Sequence, residues 1–92
     1  MSVKDEVVII TGGAAGIGLA AAKAFAAQGA HVLVTGRRAS RLAEISQVED
    51  RIAHLVADVA VPTDAQRTIA RAVELWGRVD VLVNNAGAGQ PM

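Results

Sequence analysis

The feature that most constrains this chain is a junction. The β-branched run VVIIT at Val7–Thr11 passes straight into GGAAGIG, with glycines at positions 12, 13, 16 and 18, of which Gly12, Gly16 and Gly18 set the spacing. An uninterrupted apolar run of this length is the pattern of a strand covered on both faces, as strands of parallel sheets are. Glycines directly behind it mark a turn that must bend tightly or be approached closely. From Ile17 to about Gln28 the text is IGLAAAKAFAAQ, alanine-rich and helical in propensity. A buried parallel strand that feeds a helix through such a turn creates an anion site. Amides without intrahelical partners point outward, and the helix dipole favours negative charge.

The same alternation runs through the remaining residues. Gly29 stands where a left-handed helix cap is wanted. HVLVT (His31–Thr35) reads as a second strand, and Arg38 to about Gln47 as a second helix with Leu42 and Ile45 on one face. IAHLVADV (Ile52–Val59) contains a third strand. A third helix is expected after Pro62, with Thr63 and Gln66 at capping-box spacing and Asp64 suited to the positive end of the dipole. Its apolar stripe is Ala65, Ile69, Ala72 or Val73, and Trp76, and Gly77 ends it. VDVLV (Val79–Val83) is the fourth strand. This order predicts an α/β fold, a doubly wound parallel sheet of order 3-2-1-4 with right-handed crossovers, built as one domain over residues 1–92.

Composition removes several function classes. Apolar residues make up 52% of the 92, far too many for a disordered chain. Nine basic residues balance nine acidic ones, so no bulk field draws the chain to nucleic acid or to an anionic membrane. Cysteine is absent, which excludes disulfides, thiolate metal sites and cysteine nucleophiles. His31 and His54 have no second ligand at metal spacing, and Phe25 and Trp76, the only aromatics, are expected to pack helices onto the sheet. Lys4, Asp5 and Glu6 precede only a short apolar run, unlike a signal peptide, so the expected setting is cytoplasmic.

The glycine spacing is G-x-x-x-G-x-G, neither the common dinucleotide G-x-G-x-x-G nor a phosphate loop, which needs Lys and Ser or Thr after its last glycine. TGGAAGIG at residues 11–18 resembles the TGxxxGxG cofactor motif of the short-chain dehydrogenase/reductase family. NNAG at Asn84–Gly87 and DV at Asp58–Val59 resemble two further motifs of that family, in the same order and on the expected elements. The resemblance covers essentially the whole chain and implies a Rossmann-like sheet cut after its fourth strand. It further implies that the turn of Gly12, Gly16 and Gly18 holds a cofactor diphosphate, with Ile17 near the nicotinamide end. Asp58 would accept from the adenine amino group beside the Val59 amide, or else cap the following loop. Asn85, Ala86 and Gly87 would line the adenosine ribose, while Asn84 either joins them or ties neighbouring strands together.

The end of the second strand bears on the choice between NAD and NADP. An NAD site wants a carboxylate there to bond the ribose hydroxyls. This chain has Gly36 followed by Arg37 and Arg38, and a guanidinium binds a 2′-phosphate well. The reading is therefore NADP ahead of NAD, the other possibility being that both arginines are a solvated helix start. Ala15 stands where many NADP binders of the family carry a second basic residue. The family's catalytic serine and Tyr-x-x-x-Lys have no counterpart here, since the sequence contains no tyrosine, and no catalytic residue is assigned. Two functions remain open: the cofactor half of an oxidoreductase acting on an alcohol or carbonyl, and a non-catalytic dinucleotide-binding module. Neither nucleic acid nor a membrane is expected as a partner, and a homo-oligomer is compatible with the resemblance. The fourth strand would be an exposed edge of Val and Leu, so the isolated chain is expected to be marginal, aggregation-prone or held by a partner surface.

Overall fold

The computed structural model describes residues 3–12, 16–58 and 60–84. They form β1 (Val7–Thr11), α1 (Gly16–Ala27), β2 (His31–Gly36), α2 (Ala39–Val48), β3 (Ile52–Val56), α3 (Pro62–Trp76) and β4 (Val81–Asn84). The four strands make one parallel sheet in the order β3-β2-β1-β4, the expected order. β1 is central. Val7 pairs with His31 on one side, Val8 with Val81 on the other, and Thr11 lies level with both Thr35 and Asn84.

Period-two alternation sends neighbouring residues to opposite faces. Val8, Ile10, Val32 and Val34 face α1 and α2, where they pack with Ala22, Ala26, Leu42 and Ile45. Val7, Ile9 and Leu33 face α3 and meet Ala72, with Trp76 and Val79 at the margin. All five residues of β1 are buried, which is why its sequence shows no polar alternation. Each fully buried Val, Leu or Ile is worth about 1.5–3 kcal/mol, whereas an exposed ion pair contributes about 0–1. The sheet and its two covers therefore decide the fold. α1 closes as expected. Gly29, at φ +92°, donates to the Ala26 carbonyl (2.9 Å), and Ala30 donates to the Phe25 carbonyl (3.1 Å), the paired bonds of a Schellman cap.

Four details differ from the sequence expectation. β3 stops at Val56, so Asp58 sits in the loop after the strand rather than at its end. α3 begins at Pro62, whose missing N–H is harmless at a first helical position, and Val61 precedes it with no side-chain cap. Thr63 is thereby drawn inside the helix, and the Thr63–Gln66 capping box does not form. The buried line of α3 is Thr68 and Ala72, while Ile69 and Val73 are 42% and 47% exposed. Among the described residues α3 alone covers its face of the sheet, so apolar positions flanking its contact line meet nothing. The fourth strand starts at Val81 rather than Val79, and Leu82 on this edge is also exposed. No helix among the described residues is long and apolar enough to cross a membrane.

Asp80 fastens β4 to β1 at the start of the strands. Its Oδ2 accepts from the Val7 amide (2.8 Å), its own amide donates to the Val7 carbonyl (2.9 Å), and Arg78 bonds its Oδ1. The Arg78 guanidinium first, and then the Val7 amide, hold the Asp80 carboxyl below its ordinary value of 3.8. A depressed carboxyl stabilises the fold above the unfolded value, and that contribution is lost as pH falls through the folded one. Asp80→Asn is expected to lower the melting temperature at pH 7, with the gap to the parent narrowing as pH falls below the ordinary carboxylate range and the parent's own carboxyl protonates. Thermal melts of both proteins at pH 7 and pH 3 check this, and equal gaps at the two values would contradict it.

Candidate functional site

Because the sheet is parallel, Thr11, Gly36, Val56 and Asn84 bring four strand ends to one edge. α1 starts at that edge. Gly16 has φ +60°, and a Cβ built on it meets no described residue beyond its own neighbours within 4 Å. A left-handed backbone there needs glycine for conformation, and among the described residues no neighbour needs it for packing. Gly18 is buried, while Ile17 between them is 81% exposed, a large apolar side chain on the first turn of a helix. α1 carries no acidic residue in its first turn, so its own sequence leaves the positive end of its dipole uncompensated.

Gly36 ends β2, and a Cβ there would stand 3.5 Å from Leu42, an ordinary contact. Arg37 and Arg38 follow, both exposed, and neither makes an ion pair with a described residue. Arg38 occupies the cap position of α2 in extended conformation, and α2 too has no acid in its first turn. Cations at a helix N-terminus oppose the dipole. The two arginines thus add to a positive potential that nothing nearby on the helix offsets.

The loop after β3 is pinned at Asp58. The Asp58 amide donates to Asp64 Oδ2 (2.8 Å), its carbonyl accepts from Val61 (2.8 Å), and its Oδ1 accepts from Ala60 (3.0 Å). The Asp58 carboxylate therefore does cap the loop, one of the two roles read from the sequence, through one of its two oxygens. Asp64 Oδ1 in turn accepts from Arg67 (2.8 Å). The Asp58 amide first, and the Arg67 guanidinium next, lower the Asp64 carboxyl from its ordinary value. Asn84 ends β4, and its Oδ1 accepts from the Thr11 hydroxyl (3.2 Å), which also lies 3.4 Å from the Val83 carbonyl. Asn84 thus joins strands, as one sequence reading had it. Val59, Asn85, Ala86 and Gly87 lie outside the described residues.

Two features had no signal in the sequence. Asp64 was legible as a dipole partner, but its reach back to Asp58 crosses a loop whose shape no local pattern specifies. Thr35 is the other: its side chain is buried, and its Oγ1 has no hydrogen-bond partner among the described residues. A shallow groove of about 230 Å³ lies between α3 and β4, lined by Thr11, Ala65, Thr68, Ile69, Leu82 and Asn84. Among the described residues no group of three or more acidic or histidine side chains could hold a metal. His31 stacks on Trp76 with ring centroids 5.3 Å apart, and His54 Nδ1 lies 2.7 Å from Ser46 Oγ, so both histidines have structural neighbours.

Comparison with known proteins places this geometry in context. Residues 6–92 match the family model described as short chain dehydrogenase. A cis-2,3-dihydrobiphenyl-2,3-diol dehydrogenase of Paraburkholderia xenovorans is 41% identical over 88 residues, covering 95% of this chain and 32% of that protein. A sorbitol-6-phosphate 2-dehydrogenase of Klebsiella pneumoniae is 37% identical over 91 residues, covering 99% of this chain and 33% of that protein. A crystal structure of a short chain dehydrogenase from Bacillus anthracis superposes with a TM-score of 0.85 at 40% identity, covering 91% of this chain and 35% of that one. The chain spans about a third of the length of the curated relatives it matches.

The Thr35 hydroxyl, without a partner among the described residues, gives a direct test of what this edge needs. A buried, unpaired hydroxyl costs about 1–3 kcal/mol, and a methyl group of the same shape does not. Thr35→Val is expected to stabilise the chain by about 1 kcal/mol, raising the melting temperature by roughly 4–8 °C for a domain of this size. Urea and thermal unfolding read the change. A loss of stability would mean that the hydroxyl has a partner, such as a buried water.

Proposed function

The chain belongs to the short-chain dehydrogenase family, and from that premise we propose that it is the NADP(H)-binding part of an oxidoreductase. The observation that carries this reading is the first turn of α1, where the side of Gly16 meets no described residue within 4 Å and the turn itself carries no acid to offset the dipole. That arrangement fits a diphosphate, which needs amides within reach, a positive potential and no Cβ in its way. The amides of the turn through Gly12, Gly16 and Gly18 hold the diphosphate in this reading, and Ile17 lies beside the nicotinamide end. Asp58 accepts from the adenine amino group through the oxygen that does not bond Ala60, with the Val59 amide alongside. Asn85, Ala86 and Gly87 line the adenosine ribose.

Arg37 and Arg38 support NADP over NAD. They follow Gly36 at the point where a carboxylate would bond the ribose hydroxyls of NAD, and among the described residues neither forms an ion pair with a carboxylate. The bound dinucleotide supplies hydride donation or acceptance at its nicotinamide, in the complete enzyme toward an alcohol or carbonyl in a cytoplasmic setting. The contribution of these 92 residues is to bind and orient it. They contain no tyrosine, so a second reading, dinucleotide binding without chemistry, stands for the chain by itself. The two relatives named above carry unlike substrates in their names, a dihydrodiol and a sugar phosphate, and no substrate is carried over from them.

Titration of the chain with NADPH and with NADH, followed by nicotinamide fluorescence, tests the proposal. Charge-assisted bonds to a 2′-phosphate are worth about 1.5–3 kcal/mol, so NADPH is expected to bind roughly tenfold or more tightly than NADH. Joint substitution Arg37→Ala and Arg38→Ala should bring the two affinities together. Gly36→Asp should reverse the preference, because its Cβ meets only Leu42 at ordinary contact distance and its carboxylate repels the phosphate. No binding of either dinucleotide would remove the proposal, and equal affinities in the parent chain would remove its NADP part.

A further inference from the structure

Asp58 is held by a residue outside every motif of the sequence. Asp64 stands in the first turn of α3, with its side chain 23% exposed, and its carboxylate divides between two partners. Oδ2 accepts from the Asp58 amide at 2.8 Å, and Oδ1 accepts from the Arg67 guanidinium at 2.8 Å. A carboxylate held on both oxygens has a set direction, and here that direction is imposed on the main chain of Asp58. The other polar groups of Asp58 close the local turn. Its carbonyl accepts from Val61 and its Oδ1 from Ala60, while its Oδ2 accepts from no described residue. One step upstream, the Ala57 amide donates to the Gly36 carbonyl at 2.9 Å, which anchors the loop to the end of β2. The loop is thus tied at one side to the strand end that carries the arginines and at the other to α3.

This arrangement replaces an ordinary helix cap. Val61, in the cap position, has no hydrogen-bonding side chain, so an acid three residues into the helix turns back, as the glutamate of a capping box does. A capping box would take the cap residue's own amide. Asp64 reaches three residues further, to Asp58, and so serves the loop more than the helix end.

We propose that Asp64 is a positioning residue for base recognition: by accepting the Asp58 amide it sets the Asp58 carboxylate where the exocyclic amino group of an adenine is read. The proposal rests on the dinucleotide reading above and goes beyond it, assigning the selectivity for a 6-amino purine to a residue that touches no cofactor.

The test compares two probes, NADPH and its deamino analogue, in which hypoxanthine replaces adenine. The analogue presents a carbonyl oxygen where adenine has its amino group, so a carboxylate acceptor disfavours it. Both dissociation constants are read from nicotinamide fluorescence. The parent chain is expected to bind NADPH about tenfold or more tightly than the analogue, because the bond lost has a charged acceptor. Asp64→Ala should reduce that ratio to about threefold or less. Asp64→Asn, which retains an oxygen able to accept the Asp58 amide, should keep it within about threefold of the parent. A residue that only stabilised α3 would lower the urea midpoint, or weaken both probes equally, without changing the ratio; that result overturns the proposal and leaves the dinucleotide reading intact. Failure of the parent to bind either probe overturns both. Should the alanine variant not fold, Asp64→Glu takes its place. The extra methylene displaces the carboxylate and should lower the ratio, and an unchanged ratio in that variant overturns the proposal.

Discussion

Everything in this structure depends on β1 being paired on both edges and covered on both faces. A central parallel strand cannot return through a hairpin, so each neighbour requires a crossover, and right-handed crossovers send α1 and α2 to one face and α3 to the other. The same parallelism carries every strand to a common edge. Thr11, Gly36 and Asn84 meet there because Thr11 is level with Thr35 on one side and Asn84 on the other. The site follows from the pairing. A helix that must begin at the end of a buried strand delivers its unpaired amides to the mouth of the sheet, whatever its side chains are.

Much of this was legible in the sequence because the signals are local. VVII announces a doubly covered strand, Gly29 and Gly77 announce helix ends, and the alternation of strand and helix yields the order 3-2-1-4. Legibility failed where two local signals competed. Thr63 and Gln66 have the spacing of a capping box, but Pro62 is itself a favourable first helical residue, and the helix starts there instead. The stripe of α3 was read one turn too broadly, because periodicity identifies apolar positions and not what will cover them. Thr68, a polar residue absent from that stripe, is buried, while Ile69 and Val73 are half exposed.

The candidate site divides in the same way. The glycine turn and the paired arginines are short, contiguous signals, and Gly16 and Gly36 both stand at the edge where the strands end. The bonds from Asp64 to Asp58 and from Thr11 to Asn84 join residues 6 and 73 positions apart, and the residue types alone do not say which oxygen will meet which donor. Thr35 was invisible for a different reason. Threonine is a favoured strand residue, so nothing in HVLVT distinguishes a hydroxyl that finds an acceptor from one that does not.

The three helices that open at this edge handle their dipoles differently, and the difference has a direction. α1 and α2 carry no acid in their first turns, and α2 is preceded by two arginines. α3 alone carries one, Asp64, and that carboxylate is taken by the Asp58 amide and Arg67. Positive potential therefore accumulates on the side of α1 and α2, while the side of α3 offers one carboxylate oxygen, the Oδ2 of Asp58, clear of described residues. The occupant proposed above, a phosphorylated dinucleotide, is anionic at one end and a hydrogen-bond donor at the other, with its phosphates set apart from the amino group of its base. The charge pattern and the glycine turn thus agree with the proposed occupant, though they arise from different residues and different physics.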